Sequence, residues 1–275
     1  MPLSKPDRQG VLIWCVVGGV VVALLAAYAA VIWLRPIVGP DNCVYEDIRL
    51  LRRAPTNQTV ILVDQSEALT DGHRRVARKL IDEFVADEVR FPVRSRIGLF
   101  VFSKLDFPAH ARTAPKFRPN PDLCRPPSQG NELYENNRRI TKQFFERFLQ
   151  PFTLALDRSL TIEMGERSPI LETLQFISRS HDIENWDRRT TLIIVSDMLQ
   201  HTEGFSHYRS NNSYDDFLRS AFGKDVKADF HGWDVNVFYL RRYGDRHLQQ
   251  AEHLDFWQRY FAEAGGKITG WTGVD

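Results

Sequence analysis

Two apolar runs in this chain each end on an aspartate, and together they restrict the fold more than any other feature. Thr59-Val60-Ile61-Leu62-Val63 leads into Asp64-Gln65-Ser66, and Thr190-Thr191-Leu192-Ile193-Ile194-Val195 leads into Ser196-Asp197. Neither run alternates apolar with polar residues, so each reads as a strand buried on both faces, as in a parallel sheet covered by helices. The carboxyl ends of such strands share one edge, and ligands bind there. Asp64 and Asp197 are therefore expected to converge. A carboxylate, hydroxyls and waters drawn from separate loops suit a hard cation, Mg²⁺ first, with Mn²⁺ or Ca²⁺ as alternatives. The structural reading of the same two residues is that each caps a following helix.

The rest of the sequence continues the alternation. Asp71 to Arg90 places Val76, Leu80, Ile81, Phe84 and Val85 at helical spacing, which predicts an amphipathic helix. Ser95 to Ser103 reads as a strand. From 107 to 130 the chain holds Pro108, Pro115, Pro119, Pro121, Pro126 and Pro127, which predicts an irregular insertion. A helix is expected over Asn131 to Leu149, with Ile140, Phe144, Phe145, Phe148 and Leu149 inward. A further helix should follow Ser168-Pro169, with Ser168 as its N-cap and Pro169 at its first position. Asp234 to Leu240 is a third apolar strand. A last helix, Leu248 to Ala264, should stop at Gly265-Gly266 before a strand near Ile268 to Trp271. The fold class is α/β, a doubly wound, mostly parallel sheet flanked by helices.

With these residues in view, the chain resembles a von Willebrand factor type A domain, a ligand-binding module of Rossmann-like fold. The metal-ion-dependent adhesion site of that family reads Asp-x-Ser-x-Ser after the first strand. Here the stretch is Asp64-Gln65-Ser66-Glu67-Ala68, so the last serine is missing. The family also uses a threonine from a middle loop, for which Ser168 is the counterpart and Thr161 a competitor, and a later aspartate, matched by Asp197. The resemblance implies a metal set of Asp64, Ser66, Ser168 and Asp197. It also implies a protein partner that completes the coordination with an acidic residue. The region concerned is 59–275, with the proline-rich insertion inside it.

Before that region, Val11 to Leu34 is 24 residues without a charge, about 36 Å as a helix and enough to cross a hydrocarbon core of about 30 Å. A transmembrane helix over 11–34 is expected, after a short tail (1–10) and ahead of a juxtamembrane linker (35–58). A cleaved signal peptide is the rival reading, because Lys5 and Arg8 precede the run and Ala27-Tyr28-Ala29 resembles a cleavage site. Val31-Ile32-Trp33-Leu34 continues the apolar run past that point and favours an anchor. Lys5 and Arg8 bias the amino terminus toward the cytoplasm, and Arg49, Arg52 and Arg53 oppose them. The layout is read as that of a bacterial inner-membrane protein with its large domain in the periplasm. Cys15 falls inside the apolar run, which leaves Cys43 and Cys124 as one candidate disulfide or two separate thiols.

A net charge of +1 over 275 residues, with Arg and Lys scattered, gives no footprint for nucleic acid. A Mg²⁺-dependent phosphohydrolase using Asp64 would want Asp-x-Asp, and Ser66 stands at the second position. No Gly-x-Ser-x-Gly elbow or glycine-rich phosphate loop occurs. His201, Glu203 and His207 share a polar loop and form a weaker metal candidate. Two glycosylation triplets, at Asn57 and Asn211, carry meaning only in a eukaryotic secretory pathway. The sequence therefore points to a membrane-anchored recognition module that is not an enzyme. A metal-independent scaffold subunit of a membrane complex is the alternative.

Overall fold

The computed structural model describes residues 8–33, 43, 57–102, 120–129, 136–161, 165, 167–179, 189–209 and 213–275. Nearly all of the 35–58 linker, most of the proline-rich insertion, and Asn211 and Asn212 lie outside the described residues. The chain divides into two units, Met1–Gly39 with Val44–Arg53, and Pro40–Cys43 with Ala54–Asp275.

The first unit contains helix α1, Arg8–Trp33, of 26 residues. Burial is described for 14–30, and every one of these residues is exposed. Among the described residues, no helix is long and apolar enough to cross a membrane. The stretch with described side chains is shorter than the 24-residue uncharged run in which it lies.

The second unit is an α/β fold. Strand β1 (Gln58–Asp64) is followed by helix α2 (Asp71–Ala86), strand β2 (Arg96–Phe102) and the short strand β3 (Asp122–Cys124). Then come α3 (Asn137–Phe144), a π-helical turn (Phe145–Leu149), α4 (Gln150–Thr161) and α5 (Ile170–Ser178). Strand β4 (Thr190–Ser196) leads to the short helices α6 (Tyr214–Arg219) and α7 (Ala221–Asp225). Strand β5 (Trp233–Leu240), α8 (Ala251–Glu263) and β6 (Lys267–Val274) complete the chain.

The six strands form one sheet in the order β3-β2-β1-β4-β5-β6. All neighbours are parallel except β3, which runs antiparallel to β2. The order reverses between β1 and β4, so the crevice of a doubly wound sheet falls at their carboxyl ends. Strand side chains alternate between two apolar layers, as a period of two requires. Val60, Leu62, Leu192, Ile194, Val235 and Val237 pack with α5 and α8. Ile61, Val63, Ile97, Leu99, Ile193 and Val195 pack with α2 and α4.

Several expected boundaries shift for identifiable reasons. Helix α2 is capped by Thr70, whose side chain accepts from the His73 N–H, and ends at Ala86; Val76 lies on its exposed side. The helix expected to close at Leu149 continues to Thr161. Pro151 has no N–H to give to Arg147, and the π turn before it moves the bonding to Gln150 N–H on Phe145 O. That turn leaves Phe145 exposed, whereas Phe148, Phe152 and Leu156 are buried. Helix α8 begins at Ala251 and ends before Gly265, whose φ of +77° is left-handed. A Cβ there would stand 2.7 Å from the His231 ring, so both conformation and space favour glycine. Cys43 and Cys124 are bonded in a disulfide across 81 residues of sequence, on the edge strand β3.

Candidate functional site

Asp64 is the last residue of β1 and is 2% exposed. Its Oδ1 accepts the Ser66 N–H at 3.0 Å, which turns the chain back over the strand end. Its Oδ2 accepts two hydroxyls, Ser196 at 2.7 Å and Ser168 at 3.0 Å. The carboxylate thus joins the ends of β1 and β4 to the loop before α5. Ser168 is held in place by a two-way backbone bridge with His201, at 3.1 and 2.9 Å.

Asp197 follows β4 directly and is 3% exposed. Its Oδ1 accepts the Leu199 N–H at 2.9 Å, and its Oδ2 accepts Arg242 Nε at 2.9 Å. Arg242 lies two residues past β5 and also donates from Nη1 to the Ala68 carbonyl at 2.7 Å. Glu67 Oε2 is 3.5 Å from the same Nε. One guanidinium therefore bridges the loops after β1, β4 and β5. Gln249 fastens this arrangement by donating to the carbonyls of Asp197 and Leu240 and accepting the Arg242 N–H.

A second layer fixes the backbone behind Asp197. Met198 has a φ of +60°, a left-handed conformation that costs about 1 kcal/mol or more for a residue with a Cβ. Its carbonyl accepts Trp257 Nε1 and is 2.9 Å from His253 Nε2. His253 Nε2 also lies 3.1 Å from Trp257 Nε1, and its Nδ1 is 2.8 Å from the Tyr239 hydroxyl. His207 packs edge-on to His253 with ring centroids 4.6 Å apart and accepts the Gln200 N–H on Nδ1. Burial drives both imidazoles toward the neutral form, His253 down to about 4 and His207 well below its ordinary value.

In front of these carboxylates lies an open cavity of about 410 Å³, lined by Ser66, Glu67, Ser168, Asp197, Leu199, His201, Tyr208 and Asp245. Burial, and then the Asp64 charge, push the Asp197 carboxyl up to about 7, against the pull of Arg242 and the Leu199 N–H. Burial opposes the charge on Arg242, but Asp197 and Glu67 hold it above its ordinary value. Burial and the charges of Asp197, Glu67 and Asp245 raise the Tyr208 phenol.

The four expected site residues, Asp64, Ser66, Ser168 and Asp197, are thus brought to one edge, and the helix-cap alternatives are not realised. Ser168 is not the N-cap of α5, since Pro169 holds that position without a side-chain bond; its hydroxyl is turned to Asp64 instead. Neither aspartate caps a helix, because both carboxylates close turns within their own loops. Thr161 donates to the carbonyls of Asp157 and Arg158 at the end of α4. The loop trio is spread apart, with His201 on Ser206, Glu203 paired with Arg167 and His207 buried.

The oxygens expected to ligate Mg²⁺ also take part in hydrogen bonds within the protein. Each oxygen of Asp64 and of Asp197 already accepts a hydrogen bond, and the positive charge at Asp197 is a guanidinium. Ala68 brings no hydroxyl, and its carbonyl accepts from Arg242. Ser66 and Ser168 contribute neutral hydroxyl oxygens beside the two carboxylates. Among the described residues, no group of three or more His, Cys, Asp or Glu side chains is arranged to hold a metal.

Arg242, Gln249, His253 and Trp257 are site residues that the sequence reading missed. The available signal for Arg242 was its place just beyond the third apolar strand, at the edge where Asp64 and Asp197 also end.

No protein-family model matches the chain, and no curated protein matches it. Among solved structures, it is similar to proximal thread matrix protein 1 from the mussel byssus, with 11% identity and a TM-score of 0.32, covering 68% of this chain and 38% of that one. It is also similar to the conserved hypothetical protein BatB from Bacteroides thetaiotaomicron, with 14% identity and a TM-score of 0.32, covering 79% and 90% of the two chains. A third similar structure is an aerotolerance-related membrane protein from Bacteroides fragilis carrying multiple mutations to serine, with 15% identity, a TM-score of 0.34 and coverage of 79% and 91%. The α/β assignment rests on the observed strand order.

Proposed function

We propose that this chain is a membrane-tethered, type A-like recognition module that engages a protein partner with the carboxyl edge of its sheet, without a metal ion. The observation that carries this reading is the junction of Asp64, Asp197 and Arg242, which links three strand ends beside an open cavity. Support for tethering comes from the sequence, whose 24-residue uncharged run from Val11 to Leu34 would be about 36 Å as a helix. An inner-membrane location with the domain in the periplasm suits the Cys43–Cys124 disulfide, a bond of oxidising compartments. Catalysis by Asp64 is disfavoured, since a carboxylate that accepts three hydrogen bonds is a weakened nucleophile.

Photo-crosslinking in cells tests the reading. A photoreactive residue at Tyr208, on the cavity wall, should give a discrete adduct with another protein. The same residue at His231, at the amino end of β5, should not. Adducts from His231 alone would place recognition at the other end of the sheet.

A further inference from the structure

Resting on that reading, we infer that the cavity at the carboxyl edge receives a basic side chain, lysine or arginine, from the partner. The polarity is opposite to that of a metal-centred site, which would receive a carboxylate.

The first ground is charge. Asp197, Glu67 and Asp245 line the cavity and Asp64 lies behind Ser168, whereas Arg242 is the cation paired among them. Arg242 is committed to Asp197 and to the Ala68 carbonyl. Four carboxylates against one guanidinium leave an excess of negative charge, and a partner carboxylate would add to it. A site of this kind gains from an incoming cation.

The second ground is an unspent polar group. Ser66 is 7% exposed and lines the cavity, and among the described residues its hydroxyl has no hydrogen-bond partner. Ser66 Oγ is not one of the fully buried atoms without a partner, so it opens to the cavity, where a lysine or guanidinium donor can meet it. Its neighbour Ser168 gives its proton to Asp64 and so keeps lone pairs for the same donor.

The third ground is the shape of the wall. His201 and Tyr208 meet edge to face, with centroids 5.2 Å apart, and both line the cavity. An aromatic ring beside carboxylates accommodates both the alkyl stem and the charged head of a basic side chain. The remaining carboxylates sit where they would meet that head. Asp245 Oδ2 accepts the Tyr208 hydroxyl at 3.5 Å, and Glu67 Oε2 is 3.5 Å from Arg242 Nε.

The test is calorimetric titration of the full-length protein in non-ionic detergent with blocked Gly-Gly-X-Gly-Gly peptides, where X is Lys, Arg, Gln or Glu. Lys and Arg peptides should give saturable heats that weaken with salt, and Gln and Glu peptides should give none, with or without Mg²⁺. Glu67→Gln and Asp245→Asn, both at partly exposed positions, should each weaken the Lys peptide about fivefold. Preference for the Glu peptide, no saturation by Lys or Arg, or Lys binding unaffected by both variants would overturn the inference. The recognition reading fails separately. Lys binding with crosslinks from His231 alone would keep the pocket and remove the edge as the partner surface. Glu preference with crosslinks at Tyr208 would do the reverse.

Discussion

Arg242 Nε lies 2.9 Å from the buried carboxylate of Asp197, and the same guanidinium holds the Ala68 carbonyl. A side chain from beyond β5 thus supplies positive charge at the place where the sequence pattern leads one to expect a cation.

Removing that side chain should be severe. Arg242→Ala leaves Asp197 buried without its counter-charge, and breaking such a pair costs about 3–5 kcal/mol. Denaturant unfolding should show this loss, and Asp197→Asn combined with Arg242→Gln should recover much of it. Equal stability of wild type and Arg242→Ala would mean that the pair contributes nothing.

Metal titration gives a second check. Mg²⁺ or Mn²⁺ added to the wild type should give no saturable heat. Binding that is saturable, and lost in folded Asp64→Ala and Asp197→Ala variants, would restore the hard-cation site and remove the metal-independent reading.

Stability should depend on pH through two opposed groups. Asp197 is raised from 3.8 to about 7, so its contribution is full below 3.8 and is lost as pH rises through 7. His253 is lowered from 6.5 to about 4, and His207 is lowered too. Their contribution is full above 6.5 and declines as pH falls toward 4, because the unfolded chain then takes up protons that the folded chain refuses. The histidines therefore set the acid limb of the stability curve and Asp197 the fall toward pH 7. His207→Phe should make the acid limb shallower in denaturant midpoints measured across pH, and an unchanged slope would exclude His207 from this role.

The disulfide closes 81 residues of chain. On loop entropy, Cys43→Ser should cost about 4 kcal/mol. Reductant should lower the wild-type unfolding midpoint and leave that of Cys43→Ser unchanged; a wild type indifferent to reductant would show that the bond contributes no stability.

Loss of a hydroxyl on Asp64 should be milder. Ser196→Ala removes the 2.7 Å donor and also the acceptor for the Met198 N–H, at about 1–3 kcal/mol. A near-neutral result would indicate that water replaces both bonds.

Much of the fold was legible because β1 and β4 are buried on both faces, and such strands must be continuous apolar runs. Asp64 and Asp197 were legible for the same reason, as the first acidic residues after those runs. Ser168 was found as a candidate, but its local role was misread. Ser-Pro before an apolar helix has the form of a cap, and only the bridge to His201 shows that the hydroxyl faces Asp64. Arg242 could not be singled out by pattern, because an arginine after a strand is ordinarily a solvated charge, and its partners are 45 and 174 residues away in sequence. The π turn before Pro151 was equally hidden, because a proline inside a helical pattern reads as a stop and not as a change of register.

The order of synthesis gives the site a property of its own. Asp64 and Ser196 are 132 residues apart, and Arg242 is made later still, after β5. A chain still emerging from the ribosome can hold β1 and β4 without Arg242, so its aspartates lack their counter-charge until β5 has been made and docked. The Asp64–Asp197–Arg242 junction is therefore complete only in a nearly finished molecule, and an intact junction marks a sheet whose β5 has docked.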